Sequence, residues 1–198
     1  MKPDDIATAV TARFDSAITG RSEFRGELSL AVRPDTLRQV CQFCRDELSF
    51  DVLLDISSVD LFVQEPRYEI VYELYSLEHH LYLRLKTTAT EDDPEVASVC
   101  DIWPSANWQE REVWDMMGIR FADHPDLRRI LMWEGYPYHP LRKDFPLEGM
   151  HSDKPGVAFT DAAPLDGGPF VTAPIHGTAI AREPHARRAG DIPPDAEP

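Results

Sequence analysis

Acidic, basic and imidazole side chains that could take part in chemistry are concentrated between residues 103 and 149 of the chain. They are Glu110, Arg111, Glu112, Asp115, His124, Arg128, Arg129, His139, Arg142, Lys143 and Asp144. The segment has no nucleophile with a base beside it, no phosphate-binding loop and no closed set of metal ligands. Paired charges on rigid, proline-fixed turns indicate a docking surface more than an active site.

Metal binding is the main chemical alternative for this segment. Three histidines could supply nitrogen and three aspartates oxygen: His124, His139, His151, Asp123, Asp126 and Asp144. The histidines are 15 and 12 residues apart. This spacing matches no compact ligand motif, and two of the histidines precede proline in turns. An independent metal-dependent enzyme is therefore the weaker hypothesis.

A helix is predicted at the start of the segment, over Trp108–Met117. Asn107 is a suitable N-terminal cap, and Gly118 suits the turn that ends the helix. Glu110 either closes a capping box with Asn107 or forms half of a buried ion pair with a nearby arginine. The capping box would leave the carboxylate in water, whereas the ion pair would place it in the interior.

Helical periodicity divides this predicted helix into two faces. The apolar face consists of Val113, Trp114, Met116 and Met117. The opposite face consists of Arg111, Glu112 and Asp115. Arg111 and Asp115 are four residues apart, so they could pair along the helix surface.

Two stiff segments follow the helix. Residues 121–131 combine a proline-fixed turn, two arginines and a short apolar strand that ends at Ile130 and Leu131. Residues 136–146 contain three prolines, which favour an extended backbone that displays its aromatic and charged side chains. The alternative for residues 136–146 is a loop that packs back onto its own sheet.

The formal net charge of −15 argues against nucleic-acid binding and against adhesion to an anionic membrane. No apolar run reaches the ~20 residues of a membrane-spanning helix, and the N-terminus lacks the apolar core of a signal peptide. A cytoplasmic chain with reduced thiols is expected. Cys41 and Cys44 are predicted to be core-facing helix residues, because Cys100 alone cannot complete a metal or iron–sulfur site with them.

The order of the predicted elements indicates an α+β fold with a mostly antiparallel sheet and helices on one face. Helices are predicted over Asp4–Ile18, from Pro34 to about Glu47, and from Asp92 to about Asp101. Strands are predicted over Glu27–Val32, Val52–Val63, Tyr68–Leu77 and His80–Thr88, the last three as a meander.

The composition changes after residue 150, which suggests a domain over residues 1–150 and a tail over 151–198. The tail holds 8 of the 17 prolines and 5 of the 10 glycines. Its scattered apolar residues, Val157, Phe159, Phe170, Val171, Ile175 and Ile180, are too few for a core. The tail is therefore either an extended strap that binds a partner surface or a disordered extension.

The charged segment resembles the signature of the C subunit of NADH-quinone oxidoreductase, respiratory complex I. The matching pattern is Glu110-Arg111-Glu112-x-x-Asp115-Met116-Met117, then six residues, His124, three residues, and Arg128-x-Ile130-Leu131. The later His139-Pro140-Leu141-Arg142-Lys143-Asp144-Phe145-Pro146 is also similar to that family. The resemblance covers about residues 25–150.

The resemblance implies a non-catalytic peripheral-arm subunit of a proton-translocating NADH:quinone oxidoreductase. Such a chain would brace the D subunit of the quinone site, with the B subunit and other peripheral-arm proteins as further partners, on the cytoplasmic side of the cell inner membrane. FMN, iron–sulfur clusters and quinone would be bound by other subunits, with no cofactor in this chain. The matched residues are then structural or docking positions. The alternative is a same-family subunit of a membrane-bound hydrogenase or another quinone-linked oxidoreductase.

Overall fold

The computed structural model describes residues 2–147 and 149–150. In these residues, three α-helices and seven strands lie within the unit Met1–Phe145. The helices are α1 (Pro3–Phe14), α2 (Leu37–Asp46) and α3 (Ala106–Met117). The strands are β1 (Ile18–Phe24), β2 (Glu27–Val32), β3 (Val52–Asp60), β4 (Tyr68–Ser76), β5 (Leu81–Ala89), β6 (Glu95–Ala97) and β7 (Arg120–Ala122). The predicted tail, residues 151–198, lies outside the described residues.

The main sheet has the strand order β1–β2–β5–β4–β3. Its neighbouring strands are antiparallel except β2 and β5, which run parallel. The predicted meander is formed by β3, β4 and β5, although β3 ends at Asp60 rather than Val63. The predicted α+β class and the mostly antiparallel sheet are therefore confirmed.

The hydrophobic core lies between the sheet and the helices. Alternate residues of β4 and β5 face inward, and α1 and α2 contribute Ile6, Val10, Val40, Cys41 and Cys44 to the same cluster. The pKa values of both cysteine thiols are raised by burial, that of Cys44 to about 12. Protonated thiols in an apolar environment pack as small hydrophobic residues, as predicted.

The first helix is shorter than predicted. It ends at Phe14, and after a 3₁₀ turn Ile18 begins β1, where it pairs with Val32 of β2. The apolar spacing that includes Ile18 fits a helix, but pairing with β2 determines its conformation. Strand β1 was not predicted, because most of its residues are exposed and show no regular apolar alternation.

The helix predicted over 92–101 does not form. Instead, Glu95–Ala97 is the strand β6, which pairs in parallel with β7. Arg120 of β7 forms ion pairs with Asp93 and Glu95, and Val96 is buried. The acidic residues around Pro94 are typical of a helix start, but pairing with a strand about 25 residues away determines the conformation instead.

Helix α3 covers the outer edge of the main sheet. Ser105 Oγ donates a hydrogen bond to the Leu53 carbonyl of β3 (3.3 Å), and Gln109 Nε2 donates one to the Leu54 carbonyl (2.8 Å). These bonds satisfy edge carbonyls that a sheet otherwise leaves open. In the part of the chain that the structure describes, no helix is long and apolar enough to cross a membrane.

Candidate functional site: the charged module on helix α3

Helix α3 begins two residues earlier than predicted, with Ser105 rather than Asn107 at the N-cap position. The predicted end at Gly118 is confirmed, and its φ of +78° lies in the left-handed region that favours glycine. A Cβ at Gly118 would also collide with the side chains of Arg142 and His139. Glycine is therefore required for conformation and for space.

Glu110 binds a turn that precedes the helix. The side chain is fully buried, and its carboxylate accepts hydrogen bonds from the Val99 N–H (2.7 Å), Ser98 Oγ (2.7 Å) and Cys100 Sγ (3.2 Å). Burial raises the pKa of Glu110. The expected capping bond and arginine pair are both wrong, because the 98–100 turn folds against α3 and supplies the donors.

His124 lies beside Glu110, and its side chain is fully buried. Its Nδ1 accepts a hydrogen bond from the Asp126 N–H (3.0 Å), so the ring proton of a neutral imidazole lies on Nε2. That nitrogen faces the Asn107 carbonyl at 3.3 Å and a Glu110 oxygen at 3.9 Å. His124 therefore links the helix to the 123–126 turn as a hydrogen-bond donor.

Cys100, Glu110 and His124 have potential ligand atoms within 4.8 Å of one another. The tautomer of His124 opposes a cation there, because the nitrogen that faces Glu110 carries the proton. Burial also raises the pKa of the Cys100 thiol to about 12. The histidine and aspartate set weighed as the weaker, metal-binding alternative is not assembled among the described residues, and His151 lies outside them.

Asp115 organises the loop that follows β7. One carboxylate oxygen accepts hydrogen bonds from three consecutive backbone N–H groups, those of Ile130 (3.1 Å), Leu131 (2.8 Å) and Met132 (2.8 Å), and the other pairs with Arg129. Burial opposes ionisation, but the N–H bonds and Arg129 outweigh it and lower the pKa of Asp115. A buried, ionised carboxylate therefore holds the loop.

Arg111, one helical turn before Asp115, holds the same loop. Its Nε and Nη2 donate hydrogen bonds to the carbonyls of Arg128 and Arg129, both at 3.1 Å, and its guanidinium lies 5.3 Å from the Trp108 ring centroid. The predicted Arg111–Asp115 pair and polar face are wrong. Both residues are buried because the loop covers them, and only Glu112 of that face is exposed.

The predicted strand that ends at Ile130 and Leu131 does not form. Successive N–H groups of a strand point to opposite sides, whereas these converge on one carboxylate. Arg128 is exposed and pairs with Asp126 at 2.8 Å, Ile130 is half-buried, and Leu131 is exposed. The loop therefore presents some matched residues to solvent and buries others.

The segment that contains His139 and Arg142 packs against the end of α3. His139 Nδ1 contacts the Asp115 carbonyl at 3.0 Å, and Arg142 Nε donates to the Met117 carbonyl at 2.6 Å. Burial lowers the pKa of His139 and thereby favours the neutral ring, and Nδ1 is its donor because a carbonyl oxygen can only accept.

Lys143 and Asp144, the next two residues of this segment, bond to residues at the end of β3 and just before β4. Asp60, at the end of β3, accepts the Lys143 N–H at 2.8 Å, and Asp144 pairs with Arg67 at 2.9 Å. Residues 139–144 therefore pack back onto their own domain, as the packed-loop alternative for this segment predicts.

Asp60 and Arg67 form a buried ion pair (2.9 Å) that sequence reasoning missed. Hydrogen bonds from Arg67 lower the pKa of Asp60 despite its burial, and the same pair raises the pKa of Arg67. Neither residue belongs to a recognisable motif. The nearest sequence signal is Pro66 before Arg67, which marks a turn but gives no partner.

We call helix α3 and the four segments bonded to it, residues 98–100, 123–126, 128–132 and 139–142, the charged module. The fold and the charged module define an α+β protein in which one edge helix anchors four loop segments. Residues 30–151 match the family described as respiratory-chain NADH dehydrogenase, 30 Kd subunit. The chain is 44% identical over 137 residues to the C subunit of NADH-quinone oxidoreductase from Geotalea uraniireducens, covering 69% of this chain and 84% of that protein. It is 46% identical over 149 residues to the C subunit numbered 2 of the Rhizobium meliloti enzyme, covering 74% and 81%. The chain belongs to this family, as the signature indicated.

Solved structures share the fold. Nqo5, determined as a trypsin-resistant fragment, aligns with a TM-score of 0.56 at 27% identity, covering 64% of this chain and 100% of that one. A chain of the membrane-bound sulfane sulfur reductase, an archaeal respiratory membrane complex, aligns with a TM-score of 0.64 at 24% identity, covering 73% and 85%. At 24% identity, the similarity to the sulfane sulfur reductase chain shows a shared fold only.

Proposed function

We propose that this chain is a non-catalytic subunit of the peripheral arm of a proton-translocating NADH:quinone oxidoreductase. There it braces the D subunit of the quinone site, touches the B subunit and other peripheral-arm proteins, and supports electron transfer from NADH to quinone in the assembly. It contributes no cofactor site, and FMN, iron–sulfur clusters and quinone are bound by other subunits. Its position is peripheral, on the cytoplasmic side of the inner membrane.

The observation that carries the proposal is the close relationship to proteins named as the C subunit of NADH-quinone oxidoreductase. Identities of 44% and 46% extend over more than four fifths of those relatives, so most of their length is shared. A shared domain of that extent supports a shared place in an assembly.

The module supports a structural role because its buried charges are used inside the chain. Glu110, Arg111 and Asp115 each hold backbone groups of neighbouring segments, and Asp60 holds Lys143. Groups bound in this way are costly to release for proton transfer or substrate binding. They fix loop shapes, and rigid loops lower the entropic cost of docking.

The test is a mild-detergent purification of the tagged full-length chain from its native membranes, with mass spectrometry of the partners and an NADH:quinone activity assay. Recovery of the D and B subunits with NADH-dependent quinone reduction is expected. Recovery with hydrogenase subunits and no NADH-binding flavoprotein would replace the proposal with the related complex. Recovery of the chain alone would contradict both.

A further inference from the structure

Four exposed apolar residues and one exposed acidic residue lie on α3 or on segments that are hydrogen-bonded to it. They are Leu54, Trp108, Leu131 and Leu141, which are 46%, 62%, 60% and 62% exposed, together with the exposed Glu112. We call these five residues the Trp108 patch. Single exposed apolar residues are ordinary, but four on one helix and the segments bonded to it indicate a contact surface.

Hydrogen bonds to α3 place the three leucines beside the helix. The bonds are Gln109 Nε2 to the Leu54 carbonyl (2.8 Å), the Leu131 N–H to Asp115 (2.8 Å), and the Leu141 N–H to the Met116 carbonyl (3.1 Å). Trp108 and Glu112 are four residues apart and therefore neighbours on the helix. One of these bonds, from Leu131 to Asp115, also fixes the loop that Asp115 organises.

Glu112 differs from the other two acidic residues of its helix. Glu110 and Asp115 are buried and bonded, whereas Glu112 forms no hydrogen bond or ion pair with any residue that the structure describes. A protein that covers the four apolar side chains would also remove water from this carboxylate. Covering it is favourable only if the partner supplies a cation or hydrogen-bond donors, and a cation also neutralises the charge.

Trp108 favours a particular cation. The Arg111 guanidinium lies 5.3 Å from the Trp108 ring centroid, yet Trp108 is still 62% exposed. A second guanidinium can pack on an indole and pair with a carboxylate at the same time, because it is planar and has several donors. A lysine ammonium offers only a point charge.

We propose that the Trp108 patch docks an apolar segment of a partner protein that carries one arginine, which pairs with Glu112 beside the Trp108 ring. The proposal rests on the proposed place in a respiratory assembly and adds the surface and the chemistry of its partner. The net charge of −15 also favours a basic contact at an exposed acid.

Photo-crosslinking in native membranes identifies the partner segment. Trp108 of the tagged full-length chain is replaced by benzoylphenylalanine, and the matched control carries it at Phe24, which is 71% exposed on β1, the opposite edge strand of the sheet from β3. The expected product at position 108 alone is a partner peptide with an arginine among apolar residues. Equal products at both positions, no product, or a peptide without arginine would overturn the proposal.

Charge reversal tests the ion pair. Glu112→Arg should reduce co-purification of the crosslinked partner by roughly tenfold or more, and changing the partner's arginine to glutamate should restore it. Glu78→Arg, on an exposed acid outside the patch, should leave co-purification unchanged. An unchanged thermal melt of the Glu112→Arg chain excludes misfolding. Normal co-purification of Glu112→Arg would overturn the patch proposal.

The outcomes separate the two proposals. Recovery of respiratory subunits by both wild type and Glu112→Arg would support the proposed function and reject the patch. A position-108 crosslink to an arginine-bearing segment of a protein outside any respiratory complex would support the patch and reject the proposed function.

Discussion

Asp115 and Arg129 form an ion pair inside the protein, where the aspartate side chain is fully buried and the arginine side chain is only 8% exposed. The same arginine lies 5.6 Å from the ring centroids of Trp114 and Tyr136 and also donates to the Asp115 carbonyl at 3.2 Å. The pair joins α3 to the loop inside the protein. The loop depends on this contact for its shape.

Asp115→Asn should lower the free energy of unfolding by about 3–5 kcal/mol, because Arg129 is left buried without its counter-charge. Urea unfolding of the full-length chain measures this change. Asp126→Asn is the matched control, since its pair with Arg128 is exposed and worth at most about 1 kcal/mol. Equal losses in the two variants would contradict the central role of Asp115.

Gly118→Ala should be more damaging than the same change at Gly26. Both glycines have positive φ, +78° and +83°, but nothing lies within 4 Å of a Cβ at Gly26. Gly26→Ala should cost about 1–2 kcal/mol from conformation alone. Gly118→Ala should cost about 1–3 kcal/mol more, because His139 and Arg142 must move. Similar melting temperatures for both variants would show that crowding contributes nothing.

Acid should weaken the domain partly through Asp60. Arg67 and the N–H groups of Lys143 and Phe62 hold the pKa of Asp60 well below its ordinary value of 3.8. A lowered pKa contributes stability that is present above the unfolded value and is lost as the pH falls toward the folded one.

Asp60→Asn should therefore be less stable at neutral pH, by about 3 kcal/mol, and should show a flatter loss of stability between about pH 5 and pH 2. Urea unfolding across that range tests both statements. Asp92→Asn removes an exposed carboxylate and should keep the wild-type slope. If Asp60→Asn kept the wild-type dependence of stability on pH, Asp60 would not be a source of the acid sensitivity.

His124 and His139 should be opposite tautomers. His124 accepts the Asp126 N–H at Nδ1, whereas His139 contacts the Asp115 carbonyl with Nδ1. Long-range ¹H–¹⁵N spectra of the full-length chain should show the proton on Nε2 of His124 and on Nδ1 of His139. Added zinc should leave the His124 signals unchanged, and a shift toward a bound state would revive the metal site of Cys100, Glu110 and His124.

Local patterns in the sequence were sufficient for much of the fold. Apolar alternation predicted β2, β4 and β5, because each strand buries one face against the core. Spacing and the C-terminal glycine predicted α3, and the spacing of charged residues around it identified the family. These features depend on residues close together in the chain, so a one-dimensional pattern contains them.

Tertiary structure alone decided how the charges are used. Arg111 and Asp115 have the spacing of a surface pair, yet a loop more than ten residues away buries them and takes their hydrogen bonds. Glu95–Ala97 becomes a strand through pairing with Arg120–Ala122, and Asp60 meets Lys143 across 83 residues. The sequence by itself determined the family and most of the elements, but not β1, β6 or β7. The partners of the buried charges followed from long-range packing, because a buried polar group takes whichever donor the folded chain brings to it.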